Sequence, residues 1–91
     1  MDVYPGLIVK STAGRDKDKF FVVLGIIDDI YCLIADGRTR KVDMPKKKKI
    51  KHLILLDACS EGIKDKIETA QTVTNSMVRK ELKSFEDFEM C

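Results

Sequence analysis

Tryptophan is absent from this 91-residue chain, histidine occurs once, and proline and glycine number only two and five. A lone histidine, His52, excludes imidazole-rich metal clusters and paired-imidazole acid–base centres. The three cysteines, Cys32, Cys59 and Cys91, form no Cys-x-x-Cys pair, so neither a zinc ribbon nor a dithiol redox motif is present. An odd cysteine count of this kind suits a reducing compartment. Met1–Gly6 has neither the basic start nor the apolar stretch of a secretory signal. The longest apolar run, Phe20–Ile27, is eight residues including a glycine. A membrane helix needs about 20. No glycine-rich phosphate loop or Gly-x-Ser-x-Gly elbow occurs. The expectation is a soluble cytoplasmic protein with no membrane partner, no cofactor or metal, no small-molecule substrate and no catalysis.

What is present is charge, unevenly placed. At 44% hydrophobic and 35% charged residues the chain belongs to the globular class, with length for one domain. Its formal net charge is +2. Met1–His52 carries twelve Lys and Arg against seven Asp and Glu, whereas Leu53–Cys91 carries five against eight. A basic front half points to an anionic partner, and the acidic back half reads as solvated surface.

The front half is a series of short strand signals separated by turns. Gly6–Lys10 follows a Pro-Gly turn, and Ser11–Lys19 is a polar loop. Phe20–Ile27 is apolar without alternation, as in a strand buried on both faces. Asp28-Asp29 separates it from Ile30–Ala35, a hairpin whose turn lacks glycine. After Asp36-Gly37, Arg38–Val42 reads as a short basic strand, and Ile50–Leu56 as a fifth beyond the Lys46–Lys49 run. Five short strands in about fifty residues argue for a small barrel over residues 1–57.

Periodicity changes after Asp57. Ser60 can cap a helix with Ile63, Ile67 and Ala70 on one face. Thr74 or Asn75 can cap a second, with Met77 or Val78, Leu82 and Phe85 on one face, although one long helix from Ser60 to Phe85 is also compatible. Helices this short need a dock. The apolar Phe20–Ile27 strand supplies one, so residues 58–91 are expected to be a helical extension packed on the barrel within the same domain. The fold class is therefore mainly β with C-terminal α.

Two basic clusters are candidate nucleic-acid contacts. Lys10 precedes the loop holding Arg15, Lys17 and Lys19, three cations in five residues, with Asp16 and Asp18 between them. Those aspartates either orient the cations or keep the loop soluble. Arg38, Arg40, Lys41, Lys46, Lys47, Lys48, Lys49 and Lys51 put eight cations in fourteen residues, opposed only by Asp43, with His52 adjoining. Like charges repel, and a polyanion relieves that repulsion through counterion release. The alternative is a lysine-rich edge strand that blocks aggregation, a role needing only one or two lysines. Arg38 and Arg40, two apart, would share a strand face. Tyr4 and Tyr31 are the aromatic candidates for stacking, with Phe20 and Phe21 assigned to the core. Two rings make a thin platform, so recognition of backbone and shape is expected over base sequence. Cys32 reads as packing and Cys91 as an exposed thiol.

The stretch Gly6–Val23, a hydrophobic strand, a basic glycine-containing loop and a second hydrophobic strand, resembles a KOW motif. Extended through Ala35-Asp-Gly-Arg-Thr-Arg-Lys41 and Pro45-Lys-Lys-Lys-Lys-Ile-Lys-His52, the chain resembles bacterial KOW-domain RNA-binding proteins and is similar to KOW-bearing large-subunit ribosomal proteins. The resemblance covers about residues 4–56. It implies an SH3-like barrel whose first loop contacts ribosomal RNA or, in some members, another protein, and it would make Arg15, Lys17 and Lys19 the loop contacts. The motif's usual glycine after the lysine is replaced here by Asp18, which tolerates a left-handed backbone. Two partner classes follow: RNA, ribosomal by this resemblance, or a protein of the translation or transcription machinery such as a ribosomal protein.

Overall fold

The computed structural model describes residues 3–89. Cys91, expected to be an exposed thiol, lies outside the described residues. Five strands, β1 (Leu7–Ser11), β2 (Phe20–Ile26), β3 (Tyr31–Ala35), β4 (Lys46–Lys49) and β5 (Leu53–Cys59), are followed by α1 (Glu61–Glu68) and α2 (Asn75–Glu89). The strands form one antiparallel sheet in the order β4-β3-β2-β1-β5. β4 and β5 occupy opposite edges, yet only a 3-10 turn, Ile50–His52, joins them. Three residues span at most about 10 Å. The sheet must therefore curl until its edges approach, and the result is a half-barrel. Register breaks between Leu7 and Val9 and between Val23 and Gly25 add local bend and twist. Mainly β with C-terminal helices is the fold class expected from the sequence.

β2 lies at the centre, and the expected burial on both faces holds for Phe21–Val23 only: Phe20, Leu24 and Gly25 are half-buried, and Ile26 and Ile27 are exposed where the run leaves the sheet. Phe21 and Val23 enter the inner core with Leu7, Val9, Cys32, Ile34 and Leu53. Val22 enters a second core with Ile8, Ile63, Val78 and Leu82, where the helices dock and Phe20 packs alongside. The rings of Phe20 and Phe85 meet edge to face at 5.4 Å. α1 and α2 are two helices rather than one. Ser60 caps α1 by accepting from the Ile63 amide. α1 ends in a reversal, with Ala70 at φ +57° and the amides of Ala70 and Gln71 donating back to the carbonyls of Ile67 and Lys66. Ala70 is thus an exposed cap and not part of the apolar face. Thr74 Oγ1 accepts from the Met77 amide and starts α2.

Two strand boundaries differ from the sequence expectation. Arg38–Val42 is a loop, because Asp36 Oδ1 accepts from the amides of Arg38 and Arg40, and Asn75 Oδ1 accepts from the Val42 amide. Those amides are thereby withdrawn from ladder pairing. The fourth strand is instead the lysine run itself, paired to β3 with Tyr31 opposite Lys49 and Leu33 opposite Lys47. The Ile50–Leu56 expectation also shifts: Ile50–His52 is the turn, and β5 continues to Cys59. The β2–β3 turn dispenses with glycine because Asp28 Oδ1 accepts from the amides of both Ile30 and Tyr31.

Candidate nucleic-acid interface

The β1–β2 loop turns on one left-handed glycine, Gly14 at φ +77°, and one left-handed aspartate. Gly14–Asp16 forms a 3-10 turn, and Asp18 takes φ +69° while its amide bonds the Ser11 carbonyl. Asp18 can hold this left-handed conformation because its side chain is short and polar. Asp16 is buried, 5% exposed, and its carboxylate takes a salt bridge from Arg40 at 3.1 Å. Of the two aspartates in the loop, Asp16 orients a cation. Arg40 is thereby held across the gap between loops 12–19 and 36–45. Lys48 makes a second tie: it is 9% exposed, and its Nζ donates to the Ala13 carbonyl at 3.0 Å.

These ties bring the two basic clusters to one edge of the molecule. Arg15, Lys17 and Lys19 are exposed on the first loop, and Arg38 and Lys41 on the second. Lys51 is exposed on the turn after β4, and His52 is half-buried there, its carbonyl accepting from the amide and hydroxyl of Thr12. Lys10 leans over the Phe20 ring at 5.8 Å. Strand alternation divides the lysine run: Lys47 and Lys49 lie on one face of β4, Lys46 and Lys48 on the other. Arg38 and Arg40, expected on one face of a strand, instead sit on a loop and do different things: Arg38 is exposed while Arg40 is paired with Asp16.

The sequence reading missed Arg79 and Lys83. Both belong to the half assigned to solvated surface, yet with Lys19 and Arg38 they line a cleft of about 530 Å³ between α2 and the two loops, where Asp18, Asp36, Glu86 and Asp87 balance the four cations. Arg79 Nη1 donates to the Gly37 carbonyl at 2.6 Å. Cations four apart on a helix share a face, and that spacing was the available signal.

Burial pushes the Cys32 thiol from 9.0 up to about 11, and burial followed by the Glu61 carboxylate raises Cys59. Both thiols are held away from the thiolate form a nucleophile needs. Among the described residues, no three His, Cys, Asp or Glu side chains gather as metal ligands, and no helix is long and apolar enough to cross a membrane.

A curled five-stranded sheet with a cationic edge and a helical brace on its back defines a small half-barrel β protein. The chain is 39% identical over 62 residues to the Bacillus subtilis (strain 168) protein named putative ribosome-binding protein YbzG, an alignment covering 68% of this chain and 84% of that one. It belongs to the same family. No family model matches the chain.

Proposed function

We propose that this protein is a cytoplasmic, non-catalytic KOW-type module that binds the ribosome by holding structured ribosomal RNA on its cationic edge. The observation that carries this reading is the convergence of loops 12–19 and 36–45 and strand β4, joined by the Asp16–Arg40 and Lys48–Ala13 contacts. Those ties leave Arg15, Lys17, Lys19, Arg38, Lys41, Lys47 and Lys51 exposed, with Lys46 and Lys49 partly so. A partner with regularly spaced phosphates relieves their mutual repulsion. The relative's name supports the ribosome as partner.

A salt series on binding to ribosomal RNA tests the reading. Each phosphate contact adds about 0.7–0.9 to the slope of log affinity against log salt. Changing Lys46, Lys47 and Lys49 together to Gln should flatten that slope by about 2–3 and weaken binding without altering base preference. Absent or salt-independent binding of the unmodified protein would refute it. A second reading, a protein adaptor, is favoured by one feature: Ile26, Ile27 and Ile30 stand 43–56% exposed at the β2–β3 tip. An exposed apolar tip suits a ribosomal protein surface. Under that reading the Gln variant still binds ribosomes, and charge at the three isoleucines abolishes binding.

A further inference from the structure

Tyr31 opens β3 and is partly exposed. Residues opposite one another in the β3–β4 ladder point to one side, so Tyr31 and Lys49 share a face with Leu33 and Lys47. By alternation this is also the side of Ala35, whose partner Val22 faces the helices. Tyr31 and Leu33 do not belong to that helix-packed cluster, and both are partly open to solvent. Beside them on β2, opposite Leu33, stands Gly25, where even an added Cβ would meet nothing nearer than Leu33 Cδ1 at 3.9 Å. The surface is thus low on the β2 side and bounded by two lysines on the β4 side. Lys47 Nζ lies over the Tyr31 ring at 4.3 Å.

We infer that Tyr31 is the platform on which an unpaired RNA base stacks, with Lys47 and Lys49 holding the phosphates that flank it. This rests on the RNA reading above and narrows it to an unstacked nucleotide within the bound RNA. An exposed ammonium gains only about two- to fivefold in equilibrium constant from an aromatic face. A stacked base gains about 5- to 150-fold. The base therefore displaces Lys47 from the ring, and the released ammonium is left beside the incoming backbone. The ring is covered by a cation in the free protein and by a base in the complex.

The absence of tryptophan makes the test direct. Tyr4 and Tyr31 are the two tyrosines, so in a Tyr4→Phe protein all tyrosine emission comes from Tyr31. Titration with single-stranded oligoadenylate should quench that emission. Tyr31→Leu should weaken oligoadenylate binding about 5- to 150-fold with the salt slope unchanged, while Tyr31→Phe stays within about threefold of the parent. Affinity for fully duplexed RNA should be unchanged in both variants. Saturating binding of oligoadenylate without quenching in Tyr4→Phe refutes the stack, even if Tyr31→Leu fails to fold. So does a folded Tyr31→Leu variant that binds oligoadenylate within twofold of the parent. Either result leaves salt-dependent binding to the cationic edge standing. If neither oligoadenylate nor ribosomal RNA binds, the RNA reading falls and the stack with it.

Discussion

Four consecutive lysines invite treatment as one patch, and the fold predicts that Lys48 will behave unlike its neighbours. Lys48 is 9% exposed and bonds the Ala13 carbonyl, whereas Lys47 is exposed on the opposite face. Lys48→Met keeps most of the aliphatic stem and removes the charged donor. A hydrogen bond from a charged group contributes about 1.5–3 kcal/mol. Two corrections lower that figure. The Ala13 carbonyl keeps a second partner, the Ser11 hydroxyl at 3.0 Å, so no acceptor is orphaned. Methionine also spares the fold the cost of desolvating an ammonium. The net loss should be about 1–2 kcal/mol, or roughly 4–16 °C in Tm for a domain of this size. Lys46→Met should fall within about 0.5 kcal/mol of the parent, and Lys47→Met, which loses its contact with the Tyr31 ring and its attraction to Asp28, within about 1 kcal/mol. Urea unfolding followed by circular dichroism would rank the three. In the RNA salt series the order should reverse, with Lys46→Met and Lys47→Met flattening the slope and Lys48→Met leaving it intact. Equal stabilities for all three, or a flattened slope for Lys48→Met alone, would refute the inward role of Lys48.

Gly37→Ala should cost about 2–4 kcal/mol, because its φ is +77° and the new methyl would meet the Asn75 carbonyl and Arg79 Cγ. Gly25→Ala, with an ordinary backbone and open space, should change stability by less than about 0.5 kcal/mol in the same denaturation assay. Ala70→Gly should stabilise by about 0.5–1 kcal/mol in thermal melts, since it relieves a left-handed alanine at the end of α1. The Cys32 thiol stays protonated in the fold until about 11, while the unfolded chain releases that proton near 9.0. Stability from this group is therefore full below pH 9 and is lost as pH rises towards 11, and Cys32→Ser should flatten that part of the pH profile.

Much of this architecture is legible in the sequence because the signals are local. The apolar Phe20–Ile27 run predicts a strand buried on both faces, met over Phe21–Val23, Asp28-Asp29 a turn, and Ser60 a helix start; each depends on side chains within a few residues. The left-handed position at Asp18 was legible only through the resemblance of its loop to one with glycine there, which aspartate tolerates. Arg38–Val42 was illegible as a loop because what removes it from the sheet includes Asn75, 33 residues away, accepting from the Val42 amide. Once those amides are taken, the lysine run is the segment left to complete the sheet against β3. That exchange decides which lysines reach solvent: composition supplies eight cations in fourteen residues, and only the β3–β4 register sends Lys47 and Lys49 to the Tyr31 face and turns Lys48 inward. Arg79 and Lys83 reach the loop cations because Val78 and Leu82 of α2 dock on Val22, which sets the flank of that apolar stripe against the Gly37 loop, in a cleft that also holds four carboxylates. Charge and turn chemistry are properties of short segments, so the sequence by itself determined that the chain is a basic, β-rich module with helices to bury. Which charges point outward together depends on pairings between distant amides and carboxylates, and those the tertiary structure alone decided.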